Sequence, residues 1–258
     1  MRRRTSGMRN VIVCFAATAL VPLLVGADCG GAGFRLPDPN VRVIAFGDST
    51  TSGPSDRQYV EYLPDLLTQP TNTFANEGMG GETTSEGVVR LQSLLDGAYF
   101  PNAEKIILWE GGNDIIDFIQ AHDPLIAISP DDAFYLFSTE LQQQLDETAA
   151  NLRTAIGAAK SAGLGVCLVT YHFVPEEIFD CSATPLDVIF PGQARVANDY
   201  QARLNDVIRS VATSEDVTLI DVATLDDTLR GDLANYFNCN HLSAAGNQIV
   251  ATRIAESL

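Results

Sequence analysis

The chain has 258 residues, 16 basic and 33 acidic side chains, and a formal charge of −17. That balance argues against nucleic acid and anionic membrane surfaces as partners. Five cysteines are present, no two of them at zinc-ligand spacing, so neither a metal nor another cofactor is expected.

The N-terminus reads as an export signal. Arg2, Arg3, Arg4 and Arg9 form a basic start, Val11 to Val25 is an apolar run, and Val25-Gly26-Ala27 supplies small residues for cleavage. The run is shorter than the roughly 20 apolar residues that span a bilayer, so no stable membrane insertion is expected. Cleavage after Ala27 leaves 231 residues (258 − 27) with a net charge of −21 (12 − 33), enough for one α/β domain. The product is expected to be secreted, periplasmic or held at the cell envelope. Cys29 leaves a lipid anchor open, although Asp28 stands where a lipoprotein signal has a small residue. Residues 28–40 form a Gly/Pro-rich leader, and one domain over 41–258 follows.

Within that domain β-branched runs alternate with helical patterns. Val41 to Phe46 is expected as the first strand, Tyr59 to Leu67 as a helix and Thr73 to Asn76 as a second strand. Thr84 to Leu95 follows as a helix and Lys105 to Trp109 as a third strand. Ile115 to Ser138 reads as a long connection. Leu141, Leu145, Ala149, Leu152 and Ile156 share one helix face. Gly165 to Tyr171 is the fourth strand, and Val174 to Gln193 a second long connection. Val196, Tyr200, Leu204, Val207 and Val211 again share a helix face, and Val217 to Val222 is the fifth strand. Ser243 can cap a last helix carrying Ile249, Ile254 and Leu258. Alternating strands and helices imply an α/β fold with a five-stranded parallel sheet, whose ligands bind at the carboxyl ends of the strands. The two long connections are candidate walls of such a site or plain covering structure.

Polar clusters stand at those strand ends. The first strand runs into Gly47-Asp48-Ser49-Thr50, the second into Asn76-Glu77-Gly78-Met79-Gly80-Gly81-Glu82-Thr83 and the third into Gly111-Gly112-Asn113-Asp114. Asn238-Cys239-Asn240-His241 precedes the last helix. Acyl transfer needs these residue types. A serine hydroxyl becomes a useful nucleophile when an imidazole takes its proton. The oxyanion that develops needs prearranged donors, each typically worth about 10²–10³ in rate. A glycine N–H can approach closely, and an asparagine amide is a donor that does not titrate. Each cluster alone is an ordinary turn signal; their order gives them weight.

In that order the blocks resemble those of the SGNH (GDSL-type) hydrolase family. The resemblance implies a three-layer α/β/α, flavodoxin-like fold and ester cleavage. It further implies Ser49 as nucleophile, His241 as general base, and Ser49, Gly81 and Asn113 around the oxyanion. The family's aspartate three residues before the histidine is here Asn238, which can accept the imidazole N–H but brings no charge. Asp232 or a backbone carbonyl is the alternative orienting group. His241-Leu242 also departs from the family's His-Pro. Cys181 and Cys239 lie in loop-like sequence and, in an exported chain, are candidates for a disulfide; Cys167 is expected as a buried thiol. His172 is read as a structural histidine and His122 as solvated. Asp48 and Asp114 are read as holding their own turns, and Glu110 stays open. The resulting expectation is an exported carboxylic-ester hydrolase acting on a small-molecule or glycan ester. An envelope-sugar O-acetyltransferase and a silent glycan-binding domain are the alternatives.

Overall fold

The computed structural model describes residues 35–122, 138–181 and 188–258. The expected signal segment, Cys29 and most of the leader lie outside them, as do residues 123–137 of the first long connection. Leu36–Leu258 form one compact unit.

The first strand, β1 (Val43–Gly47), lies inside a five-stranded sheet with β2 (Phe74–Gly78), β3 (Lys105–Trp109), β4 (Gly165–Val169) and β7 (Thr218–Ile220). The order is β2-β1-β3-β4-β7 and every pairing is parallel. Val43 to Phe46, Ile106 to Trp109 and Val166 to Val169 are all buried. Such uninterrupted apolar runs are what a sheet covered on both faces requires. The helices flanking it are α1 (Ser49–Ser52), α2 (Leu63–Leu67), α3 (Thr84–Asp96), α4 (Gly112–His122), α5 (Ser138–Ser161), α6 (Pro191–Ser214), α7 (Asp226–Arg230) and α8 (Ala244–Ala255). This is the expected α/β architecture.

The periodic faces meet the core as their spacing predicts. Leu141, Leu145, Ala149, Leu152 and Ile156 on α5 are buried, as are Tyr200, Leu204 and Val211 on α6. Val196 and Val207 pack against them half-buried. Truncating one such leucine to alanine typically costs about 2–5 kcal/mol. Ser243 caps α8, its hydroxyl accepting from the Gly246 N–H.

Three expectations change. The helix over Tyr59 to Leu67 is a 3₁₀ turn (Tyr59–Glu61) followed by α2. Pro64 has no N–H to continue a helical ladder and is tolerated only in the first turn of a new one. The connection after β3 begins with α4, which starts inside the Gly-Gly-Asn-Asp block. Asp114 favours a helix N-terminus, and Ile115 and Phe118 bury one face. The connection after β4 contains a short antiparallel ribbon, β5 (Phe179–Asp180) with β6 (Val188–Ile189), and α6 starts at Pro191. A second ribbon, β8 (Tyr236–Asn238) with β9 (His241–Leu242), precedes α8.

Candidate active site

The nucleophile candidate is placed by steric closure. A side chain at Gly47 would overlap the Thr51 hydroxyl and the Trp109 carbonyl, so the chain turns there where only glycine fits. Asp48 then caps α1, and Ser49 is that helix's first residue. In this position the Ser49 N–H has no intrahelical acceptor and is free to donate. Asp48 is buried; its Oδ1 accepts from Thr50 N and Thr50 Oγ1, both at 2.7 Å, and its Oδ2 from Tyr171 Oη at 2.6 Å. Burial raises its pKa although these donors oppose the shift. Asp48 therefore holds its own turn, as expected, and also ties it to the end of β4.

The glycine-rich block after β2 is held on both sides. Met79 N donates to Gly47 O at 2.8 Å, and Asn76 Nδ2 to Thr51 O at 3.0 Å. Gly81 has φ +80°, a left-handed conformation that favours glycine. A methyl group built on Gly80 would stand 3.8 Å from Ser49 Cβ, so Gly80 also adjoins the serine. Sequence reasoning had selected only Gly81; in a Gly-Gly pair the residues alone do not say which one faces the hydroxyl. The Arg90 guanidinium braces the block. Its Nε donates to Glu82 Oε1 at 2.7 Å, a second nitrogen to Glu82 Oε2 at 2.5 Å, and another to Glu77 O at 2.9 Å.

Asn113 stands in the first turn of α4 and donates Nδ2–H to Glu82 O at 2.8 Å. The amide has two hydrogens, and one such bond leaves the second available. Asp114 reaches further than expected. Besides bonding its own backbone N–H it accepts from Thr84 N at 2.8 Å, Thr84 Oγ1 at 2.6 Å and Thr148 Oγ1 at 3.2 Å, joining three helices. Glu110 is buried against Glu82, and Arg90 lies 3.9 Å from it. Burial, then the charges of Asp48 and Glu82, hold its pKa well above the ordinary range.

The β8–β9 ribbon presents Asn238 and His241 side by side. Asn238 Oδ1 accepts from Asn240 N at 3.2 Å and His241 N at 2.9 Å, and lies 3.0 Å from His241 Nδ1. The two backbone donors fix which end of the amide faces the ring, since a flipped NH₂ would oppose N–H against N–H. Nδ1 therefore carries the proton and Nε2 keeps its lone pair. Nε2 is buried without a partner, and His241 and Ser49 line one cavity. Burial alone lowers the His241 pKa to about 4, with no carboxylate to raise it. Asp232, the alternative acid, caps the turn at Leu233–Asn235 by accepting from Ala234 N at 3.0 Å, and is exposed. The neutral amide is the group that orients His241.

Cys181 and Cys239 are joined, with Cα atoms 4.8 Å apart, tying the β5 ribbon to the histidine loop. Cys167 is a buried free thiol. His122 ends α4 half-buried, with its ring stacked on Phe118 at 4.4 Å between centroids. An i to i+4 Phe–His pair was the signal for that contact. His172 is buried and lines the same cavity as Ser49 and His241. It stands three residues beyond Val169, the last of β4, at the edge where such sheets bind ligands, so its position was a signal for the cleft. Among the described residues no cluster could hold a metal ion, and no helix is long and apolar enough to cross a membrane.

Residues 45–249 match the GDSL-like lipase/acylhydrolase family. The chain belongs to that family. Curated proteins give no sequence match, but solved structures of the same fold do. An acetylxylan esterase from Geobacillus stearothermophilus superposes with a TM-score of 0.56 and 18% identity, over 87% of this chain and 96% of that one. A GDSL-like lipase from Bacteroides thetaiotaomicron gives 0.53 and 16%, over 84% and 87%. A psychrotrophic esterase from a Pseudoalteromonas species, solved inhibited by monoethylphosphonate, gives 0.55 and 13%, over 84% and 95%. These likenesses establish the SGNH hydrolase fold for the chain.

Proposed function

We propose that this GDSL-family acylhydrolase is an exported serine hydrolase that cleaves carboxylic esters through an acyl-Ser49 intermediate. The observation that carries the reading is the orientation of His241. Its Nδ1–H is held by an amide oxygen that two backbone N–H groups fix in place, while its free Nε2 shares a cavity with Ser49. Export is supported by the basic start, apolar run and small-residue exit of the N-terminus, and by the Cys181–Cys239 pairing.

His241 Nε2 takes the Ser49 hydroxyl proton as Oγ bonds to the ester carbonyl carbon. The carbonyl oxygen gains the negative charge and is held by Ser49 N–H, Gly81 N–H and the second Asn113 amide hydrogen. Collapse re-forms the C=O and breaks the C–O bond to the alcohol, which leaves with the proton from Nε2. Water then gives a proton to Nε2 and attacks the acyl-Ser49 carbonyl; the acyl C–Oγ bond breaks, the acid leaves, and the proton passes from Nε2 to Ser49 Oγ. The imidazolium that forms twice per cycle has no carboxylate beside it. General-base help is worth about 10²–10⁴ in rate, and an uncharged partner is expected to secure only part of that range.

Ser49→Ala is expected to abolish hydrolysis of short-chain aryl esters while leaving thermal unfolding unchanged. A fluorophosphonate should label wild-type protein once, at Ser49, as read by peptide mass spectrometry. Stoichiometric label on any other serine, or turnover retained in Ser49→Ala, would overturn the reading.

A further inference from the structure

A second cavity, of about 40 Å³, opens beside Ser49 and Asn113, with Ile116, His172, Gln201 and Asn240 on its walls. Three of the polar atoms on these walls are buried without a hydrogen-bond partner: His172 Nδ1, Gln201 Nε2 and Asn240 Oδ1. They come from three separate elements: the segment after β4, the middle of α6 and the β8–β9 turn. Folded proteins pair about nine in ten of their buried polar groups, because each one left unpaired loses its bonds to water without replacement. Three such atoms around one space next to a reactive serine mark a place where a ligand completes the bonding.

Their chemistry selects the ligand. The other ring nitrogen of His172 donates to the Asn240 carbonyl, and burial followed by the neighbouring His241 lowers the His172 pKa to about 4. The ring is thus neutral at pH 7 and Nδ1 is an acceptor. Asn240 Oδ1 is a second acceptor, and Gln201 Nε2 is a donor. A carboxylate or phosphate offers acceptors alone and would leave the first two unmet. An ammonium offers donors alone and would leave Gln201 unmet. Among the described residues no cation lines the cavity, and Asp48 lies in its wall, which further disfavours an anion. Hydroxyl groups both donate and accept, so two or three on one ring meet all three atoms. Waters of similar bonding fill such a space at rest and give way to groups that reproduce their bonds.

We propose that this cavity is the subsite for the alcohol part of the ester and takes the hydroxyl-bearing edge of a neutral sugar. The inference rests on the acyl-Ser49 reading for the direction of the leaving group. The departing oxygen receives its proton from His241, and Asn240 is the residue before it; His172 is held by the Asn240 carbonyl. His172 also lines the cavity that His241 shares with Ser49, which puts this space on the side of the serine from which that proton comes.

The test is binding without turnover. Ser49→Ala protein is titrated with methyl β-xyloside, with tetrahydropyran as the same ring lacking hydroxyls, and with a methyl glucuronoside as an anionic sugar. The ring nitrogens of the three histidines are followed by ¹⁵N NMR. The xyloside is expected to shift His172 Nδ1 toward a hydrogen-bonded value, tetrahydropyran to leave it unmoved, and the glucuronoside to bind more weakly. Gln201→Met, of similar shape, should weaken xyloside binding about tenfold, equal to ~1.4 kcal/mol. His172→Phe provides a second variant if the first perturbs folding. An unmoved His172 at saturating xyloside, or an equal shift by tetrahydropyran, would overturn the subsite. Because no hydrolysis is read, failure of the esterase mechanism would appear separately, in the labelling of wild-type Ser49.

Discussion

The two sides of the candidate site are held by opposite kinds of chemistry. The serine and oxyanion side is laced with buried ionisable groups: Asp48 with Tyr171, Glu82 with Arg90, Glu110 beside them, and Asp114 across three helices. The histidine side is neutral. An asparagine orients His241, a second histidine stands close by, and a disulfide anchors the loop from behind. Fixing a hydroxyl and three N–H donors demands many directional bonds from different elements, and charged groups make the stronger ones. Holding one imidazole demands a single acceptor, which an amide can supply. What the amide cannot supply is charge when the imidazole is protonated, and that is where the two sides differ for catalysis.

Breaking the neutral side's staple should have the largest effect. The Cys181–Cys239 link closes a separation of 58 residues, for which the chain-entropy account gives about 4 kcal/mol. Replacing both cysteines by alanine is expected to lower unfolding free energy by about that amount in urea titration. A loss under about 1 kcal/mol would show that the histidine loop holds itself. On the charged side Glu82→Gln strips the Arg90 guanidinium of its carboxylate, and breaking a buried pair from one end costs about 3–5 kcal/mol. Glu110→Gln should be tolerated, because burial favours the neutral form of that side chain and glutamine keeps its shape without charge. Equal losses in the two variants would contradict this division of roles. Asn113→Ala removes a donor felt mainly in the transition state, so kcat should fall about 10²-fold, or ~2.7 kcal/mol of barrier. A rise in KM with kcat unchanged would make Asn113 a substrate-binding residue instead.

The charged side was the more legible of the two in the sequence. Gly-Asp-Ser and Gly-Gly-Asn-Asp sit at strand ends, where periodicity alone places the cleft, and their residue types declare donors and a nucleophile. The β1, β3 and β4 strands were readable because both faces are buried and the runs are continuously apolar. Helix α4 was not, because a Gly-Gly-Asn-Asp block signals a turn as strongly as a helix start. The wider role of Asp114 was hidden for a related reason. Its partners Thr84 and Thr148 are 30 and 34 residues away, beyond what a local turn argument can see. The β8–β9 ribbon is too short for alternation to register. The departure at Asn238 was visible, but which end of its amide faces the imidazole depends on the backbone donors of Asn240 and His241. His172, Gln201 and Asn240 meet only in three dimensions.

The central claim is that an uncharged partner orients the base, and Asn238→Asp tests it most directly. In the wild type a buried His241 with a pKa near 4 stays neutral from pH 7 down to about pH 4. The rising limb of kcat/KM against pH should therefore lie near pH 4, with activity lost as pH falls through it. A carboxylate at 238 favours the imidazolium, so that limb should move to higher pH. At pH 7 to 8 kcat/KM on a short-chain ester should rise at least about tenfold, equal to ~1.4 kcal/mol of barrier. An unmoved limb with unchanged kcat/KM, joined to a crippled Asp232→Asn, would contradict the account and transfer the orienting role to Asp232.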